Sequence, residues 1–356
     1  MNIDYSKYAG QKVFITGHTG FKGTWLTFIL KELGAEVCGY SLKPEISQKH
    51  FIDLGLSERI LHIEADIRDK NRLMEEMNAF QPTFVFHLAA QALVRKSFID
   101  PSLTFETNVL GSLNLLEAVK NTQSVRSLVY VTSDKCYENK EWVYGYRESD
   151  ELGGLDPYSA SKSSAEILFS SFTRSFLETR ENLGYASVRA GNVIGGGDWS
   201  EDRIIPDCVR AISDNMPITL RSPNSTRPWQ HVLEPISGYL MLAQKLHDEP
   251  RKWRGSWNFG PDASDVRTVK DVALAMISEF GKGTIEMLDP RTGGHEAGFL
   301  KLNCDKAHEM LKWWPTWEST KTLSETANWY KRVLAGENTL TVTRSQVKGF
   351  FGGLND

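Results

Sequence analysis

The sequence predicts an α/β protein built on a doubly wound parallel sheet, with a smaller C-terminal α/β lobe beside it. Three observations predict this. Short apolar runs of strand length alternate with helix-period segments through the first half of the chain. A glycine-rich turn, Gly17-His-Thr-Gly20-Phe-Lys-Gly23, follows the first of those runs directly. The chain also has 356 residues, and at roughly 100–200 residues per domain that leaves room for the sheet and one further lobe.

Lys12–Thr16 (KVFIT) reads as a buried strand, and the segment from Lys22 to Leu33 as a helix stopped by Gly34. A second strand follows at Glu36–Tyr40. Further strands are expected at Leu61–Glu64, Thr83–Leu88, Ser127–Thr132 and Tyr185–Arg189, with helices near Lys70–Ala79, Pro101–Lys120 and Pro157–Leu183 between them. Alternation of this kind implies parallel strands covered by helices on both faces. Asp100-Pro101 and Asp156-Pro157 are repeated start signals, each pairing an N-cap carboxylate with proline at the first helical position. After residue 195 the pattern loosens, with Gly, Pro and Trp scattered among what read as shorter helices, and no internal repeat or long linker appears. Eight of the ten tryptophans lie beyond residue 198, so front and back differ in character.

Composition excludes several classes. With 40% hydrophobic and 24% charged residues the chain is not intrinsically disordered. A formal charge of −4, from 41 basic and 45 acidic residues, gives no global electrostatic case for nucleic acid or an anionic membrane as partner. Cys38, Cys136, Cys208 and Cys304 are far apart, which suggests neither a disulfide framework nor a metal site. The start MNIDYSKYAGQKV lacks a secretion pattern, and no apolar stretch approaches the roughly 20 residues needed to span a bilayer. The expectation is a cytoplasmic protein.

In the glycine-rich turn, Gly17, Gly20 and Gly23 allow a tight turn, close approach of backbone amides to a pyrophosphate, and close helix–strand packing. By itself the pattern is only a turn. Its position after the first strand of an alternating series makes it the cradle of a Rossmann-type dinucleotide fold, with Phe21 and Lys22 opening the helix. The second strand ends Tyr40-Ser41-Leu-Lys43, without the usual carboxylate for the ribose hydroxyls. Lys43 has two readings, tolerance of a 2′-phosphate or a solvated lysine, and NAD is preferred. Asp66 and Ile67, after the third strand, are placed to reach the adenine, while Asp69 reads equally well as a helix N-cap. His18 sets an imidazole close to the expected pyrophosphate, and Lys22 either offsets that crowding or faces solvent with it.

Tyr158-Ser-Ala-Ser-Lys162 puts a phenol and an ammonium on one helical face. The lysine charge is expected to lower the phenol pKa and so make a base for a sugar hydroxyl. The preceding strand ends in Thr132-Ser133, beside this pair. On these residues the sequence resembles the extended short-chain dehydrogenase/reductase family over nearly its whole length. The resemblance assigns Tyr158 and Lys162 as the catalytic pair and Leu88, Ala89, Ala90 and Gln91 to the cofactor-lining segment after the fourth strand. It places Asn108 in the helix that stabilises the central strands. It also implies that Asn192 and Arg227 grip a nucleotide-sugar diphosphate. Arg203, Arg291 and His295 are further polar candidates, with helix-flanking or structural roles as the alternatives.

Ser133-Asp134-Lys135 distinguishes the reaction. In relatives that only epimerise, the equivalents of Asp134 and Lys135 are usually neutral and small, whereas nucleotide-sugar 4,6-dehydratases commonly carry Thr-Asp-Glu. Here the Asp is kept and Lys replaces Glu, a variant that resembles the subset acting on CDP-glucose in deoxysugar and lipopolysaccharide biosynthesis. The resemblance implies Ser133 at the C4 oxygen, Asp134 as the acid that expels the C6 hydroxyl, and Lys135 as the C5 base. Alternatively, Lys135 anchors a substrate hydroxyl or pairs with Asp134. Competing readings are an epimerase, a dehydratase for dTDP-glucose or GDP-mannose, or a non-catalytic sensor of the dinucleotide. The family also implies a homodimer through the helices at Thr104–Val119 and Ser163–Phe176. Residues 1–190 are expected to form the dinucleotide-binding part, with later segments returning to it; 191–340 mainly the substrate lobe; and 341–356 a tail.

Overall fold

The computed structural model of the chain describes residues 4–262, 265–287 and 299–352. In chain order the strands are β1 Lys12–Thr16, β2 Glu36–Ser41, β3 Leu61–Glu64, β4 Phe84–His87, β5 Ser127–Val131 and β6 Gly184–Ala190. The short strands β7 Val193–Ile194, β8 Ile218–Leu220, β9 Thr226–Arg227 and β10 Gln230–His231 follow, then β11 Gly255–Phe259, β12 Arg267–Thr268 and β13 Ile285–Met287. Seven of these form one parallel sheet in the order β11-β6-β5-β4-β1-β2-β3. The order reverses between β1 and β4, and in doubly wound sheets the crevice at such a switch point, past the strand C-termini, is where ligands bind.

The helices are α1 Phe21–Glu32, α2 Lys49–Asp53, α3 Lys70–Phe80, α4 Val94–Ile99, α5 Pro101–Phe105 and α6 Gly111–Asn121. They continue with α7 Pro157–Phe172, α8 Ile204–Ser213, α9 Leu233–Asp248, α10 Val269–Phe280, α11 Ser319–Leu334 and α12 Thr339–Phe351. Alternation along each strand splits the core in two. Phe14, Val85, Leu128 and Tyr130 face α3, α6 and α7 in one cluster. Val13, Ile15, Phe86, Val129 and Val188 face the opposite side, packed with residues of α1 and α9 and, beyond them, of α8, α10, α11 and α12.

Asp100 and Asp156 do cap their helices, accepting from the backbone N–H of Leu103 and Ser159, both at 2.9 Å. The helix expected over Pro101–Lys120 is α5 and α6 joined by a π-helical turn at Glu106–Leu110. The helix expected to reach Leu183 instead leaves α7 through a π turn at Thr173–Leu177. Two corrections concern the back of the chain. Its helices are not short: α9 and α11 have 16 residues each. Thirteen of the residues of α9 are buried, and a helix that is enclosed all round has no amphipathic period to display. The seventh strand, β11 (GSWNF), mixes glycine and polar residues with aromatics and carries no strand signal of its own. Residues 341–351, within the expected tail, belong to α12, which packs on the second cluster through Val342, Val347 and Phe350.

Candidate active site

The glycine cradle is sterically closed to side chains. Gly17 has φ +72°, its N–H bonds the Tyr40 carbonyl at 2.9 Å, and a Cβ there would stand 2.6 Å from the Ala89 nitrogen. A Cβ on Gly23 would fall 2.1 Å from the Gly17 carbonyl oxygen. Gly20 is the N-cap of α1 and supplies no side-chain cap, so the first N–H groups of the helix face the turn. This backbone cradle at a helix N-terminus fits a dinucleotide pyrophosphate.

The His18 ring is fully buried, against Gly39 and Phe51, with Nε2 at 2.7 Å from His62 Nδ1. Burial, and then the His62 charge, push it down to about 3, so it stays neutral. Ser41 ends β2 with its hydroxyl 2.8 Å from that of Thr19. Asp66 is held by Arg68 (2.7 Å), whose guanidinium also reaches Glu106 (2.8 Å), and the Arg68 hydrogen bonds keep its carboxyl below the usual range. Ile67 is buried against Gly111. Asp69 caps α3 by accepting from the Arg72 N–H at 3.0 Å.

The segment after β4 is pinned from two sides. The Leu88 and Ala89 N–H groups donate to the Thr16 carbonyl and hydroxyl at 3.0 and 3.2 Å, and Leu88, Ala89 and Ala90 stay half-exposed. Asn108, in the π turn, accepts from the Gln91 N–H (2.8 Å) and donates to the Gln91 carbonyl (3.0 Å) and the Ser161 hydroxyl (2.8 Å). One amide thus ties the segment after β4 to the residue next to Lys162. The π turn is the device that inserts it.

Tyr158 occupies the first turn of α7, and both it and Lys162 are buried. Burial pushes the phenol up to about 12, opposed by hydrogen bonding to Ser133, and pushes the Lys162 ammonium down to about 8. Desolvation of the buried phenol is the largest effect on it in the folded chain. Ser133 is the N-cap of a 3₁₀ turn, Asp134–Cys136, and donates to Asp134 Oδ1 at 3.0 Å. Asp134 is buried, and its Oδ2 has no hydrogen-bond partner and faces Gly191, whose added Cβ would lie 3.3 Å away. Burial raises its carboxyl above the ordinary value, against Lys135, Ser133, Lys22 and Arg227, which pull the other way. Lys135 is half-buried on the same turn.

Lys22 belongs to this centre, not to solvent. Burial takes its ammonium down to about 8, with Asp134, Lys162 and Arg203 as its charged neighbours. Arg203, at the start of α8, donates to Asp198 at 2.8 Å and lies in the field of Tyr158. Arg227 is buried on β9, donates to the Thr226 carbonyl at 2.8 Å and acts on Asp134. Asn192 is half-buried before β7, with its carbonyl accepting from the Gln230 N–H at 3.0 Å. Arg291 and His295 lie outside the described residues. The charges acting on Asp134 therefore come from α1, the β5 turn and β9, while those of α7 and α8 act on Lys22. His18, Ser41, Asp66 and Ile67 are grouped separately, around β2 and β3.

The sequence matches the profile of the NAD dependent epimerase/dehydratase family over residues 13–260. The chain belongs to this family. It is 45% identical, over 98% of each chain, to a CDP-glucose 4,6-dehydratase of Salmonella typhimurium. A UDP-glucose 4-epimerase of Thermus thermophilus in complex with NAD aligns with TM-score 0.75 at 26% identity, covering 90% of this chain and 99% of that one. A dTDP-glucose 4,6-dehydratase of Bacillus anthracis, also in complex with NAD, shares the fold at 20% identity and TM-score 0.76, over 94% and 100% of the two chains. Membership in the family gives the chain its cofactor, NAD.

Glu166 escapes the family motifs quoted from sequence, while its partner Arg189 opens the segment that carries Asn192. Glu166 and Arg189 are both about 2% exposed and form an ion pair at 2.8 Å directly behind the Ser133–Lys135 turn. The signal in the sequence was the four-residue spacing from Lys162 to Glu166, which puts both on one helical face. Among the described residues no cluster could hold a metal ion, no helix is long and apolar enough to cross a membrane, and all four cysteines are free and buried.

Proposed function

We propose that this protein is a CDP-glucose 4,6-dehydratase, converting CDP-D-glucose to CDP-4-dehydro-6-deoxy-D-glucose and water. The observation that carries the reading is the buried Asp134 carboxyl, with one oxygen unpartnered, set beside a tyrosine–lysine redox pair. A tyrosine–lysine pair with NAD alone oxidises or epimerises; a carboxyl that burial raises above its ordinary value adds the acid needed to expel a hydroxyl. The near full-length relationship to a CDP-glucose 4,6-dehydratase supports the substrate.

In this reading Tyr158 takes the C4 hydroxyl proton, with Lys162 supplying the charge that favours the phenolate and Ser133 holding the C4 oxygen. NAD, held by the glycine cradle, supplies the hydride acceptor for C4 and the hydride donor for C6. The C4 ketone acidifies C5, where Lys135 removes the proton. Asp134 protonates the departing C6 hydroxyl, which leaves as water, and the proton held by Lys135 returns to C5. Asn192, Arg203 and Arg227 grip the diphosphate. Incubation with CDP-glucose and NAD, followed by NMR, should show a 4-keto-6-deoxy sugar. Turnover of dTDP-glucose without turnover of CDP-glucose would overturn the substrate.

The same reading places the enzyme in cytoplasmic deoxysugar and lipopolysaccharide synthesis, to which four free, buried thiols are suited. It also makes the protein a homodimer. Phe105 and Leu110 along the first predicted interface helix, and Ile167 and Phe176 along the second, are exposed apolar side chains that a partner would cover.

A further inference from the structure

We propose that the Glu166–Arg189 pair is a clamp gripping the Ser133–Lys135 turn at both ends, and that both residues are positioning residues for the proton transfers. The proposal rests on the reading of that turn as the acid–base centre.

The geometry is two-sided. On the near side, Glu166 accepts from the hydroxyl of Thr132, the residue just before the turn. On the far side, Arg189 NH1 donates to the hydroxyl of Tyr137, just after it, at 2.7 Å. Between these flanks the two side chains are joined by Arg189 Nε and NH2 donating to the two carboxylate oxygens at 2.9 and 2.8 Å, a bidentate fork. Ser187 donates to the carboxylate (2.8 Å), Arg189 also donates to the Glu148 carbonyl (3.1 Å) and the Ser256 hydroxyl (3.2 Å), and Tyr137 donates to Asn258 (2.8 Å). The clamp therefore spans α7, β6 and β11 and refers the turn to all three.

Backbone bonds hold the flanks, Thr132 N–H to the Val188 carbonyl and Gly153 N–H to the Cys136 carbonyl, both at 2.9 Å, but the bonds within the turn are long. The N–H groups of Lys135, Cys136 and Tyr137 reach the Ser133 hydroxyl, the Ser133 carbonyl and the Asp134 carbonyl, each at 3.3 Å, at the long edge of hydrogen bonding. Yet Ser133, Asp134 and Lys135 must be held within about 0.5 Å to serve three different sugar atoms. A buried ion pair contributes little net stability over an apolar packing of the same volume, since desolvation offsets attraction. Its distinctive contribution is direction, because the fork fixes Thr132 and Tyr137 relative to each other. Burial lowers the Lys162 ammonium, and the Glu166 carboxylate opposes that.

The test replaces the two hydroxyls, Thr132→Val and Tyr137→Phe, singly and together. Glu166 is left in place, because removing it would strand a buried guanidinium and unfold the chain. Hydrogen exchange is measured on peptides covering residues 132–137 in the whole protein, and kcat and KM with CDP-glucose and NAD. We expect each single variant to speed exchange in this segment and to lower kcat on the order of tenfold, with KM changed less than about twofold. The double variant should lose less than the product of the singles, since either end releases the turn, and Thr132→Ser should recover most of the Thr132→Val loss. Wild-type exchange in both single variants, or a kcat loss matched by a loss of folded protein, would overturn the clamp. Absence of wild-type turnover would strike the substrate reading instead, and exchange would still decide the clamp.

Discussion

At the residue scale, Asp134 and Lys135 sit next to each other in sequence and are asked for opposite services. An acid must hold its proton, and burial raises the Asp134 carboxyl above its ordinary value, against the pull of Lys135, Lys22 and Arg227. Asp134→Asn keeps the size and removes the transferable proton. C4 oxidation and exchange of the C5 hydrogen with solvent should survive, while water loss falls by roughly 10²–10⁴. NMR in deuterated buffer separates these steps, and an Asp134→Asn variant that dehydrates at the wild-type rate would remove Asp134 from the acid role. Lys135→Met should do the reverse, permitting slow C4 oxidation but no C5 exchange. Retained exchange in that variant would return Lys135 to the anchoring role weighed against the base. Both residues stand out in the sequence as adjacent charged groups, and the structure puts them on one turn. Lys22 and Glu166 were harder to place, since their significance depends on what the fold brings against them.

At the element scale, α7 delivers Tyr158 and Lys162, and its N-terminus is set by Asp156, which accepts from the Ser159 N–H and hydroxyl at 2.9 and 2.6 Å. Asp156→Ala should cost about 1 kcal/mol. It should also lower kcat more than KM, because the first turn carries the phenol; thermal melting and steady-state kinetics check both. On the outer side of the same helix Ile167 is exposed. Ile167→Glu should shift sedimentation from dimer to monomer at micromolar concentration, and a wild-type monomer would dismiss the interface. These elements show how far the sequence could be read. Strands β1 to β6, α1, α3 and α7 announce themselves by apolar runs, N-cap carboxylates and proline at the first helical position. The π turn holding Asn108 was invisible, because one extra residue in a helix leaves the composition unchanged. Helix α9 and strand β11 were lost for the opposite reason, one too uniformly buried and the other too polar to show a period.

At the scale of the whole molecule, polar groups buried between the layers tie stability to pH. His18, His50, His87 and His231 come from the glycine turn, α2, β4 and β10; all are buried, and burial is the first cause that takes each down to about 3. In the unfolded chain they titrate near 6.5. Their folded values lie below the unfolded ones, so only the unfolded chain binds these protons as pH falls. The stabilisation is therefore complete above about pH 6.5 and is lost progressively from there toward pH 3. Each histidine contributes a slope of about 1.4 kcal/mol per pH unit, and the four act together between roughly pH 6 and 4. Tm should fall steeply below pH 6. Unfolding at pH 5.5 should take up about three to four protons per chain from this group. Uptake below one proton, or a Tm unchanged down to pH 5, would mean that these rings are already charged or hydrated in the folded protein. In that case the packing of His18 against Gly39 and His62, which turns it away from the pyrophosphate cradle, would be wrong as well.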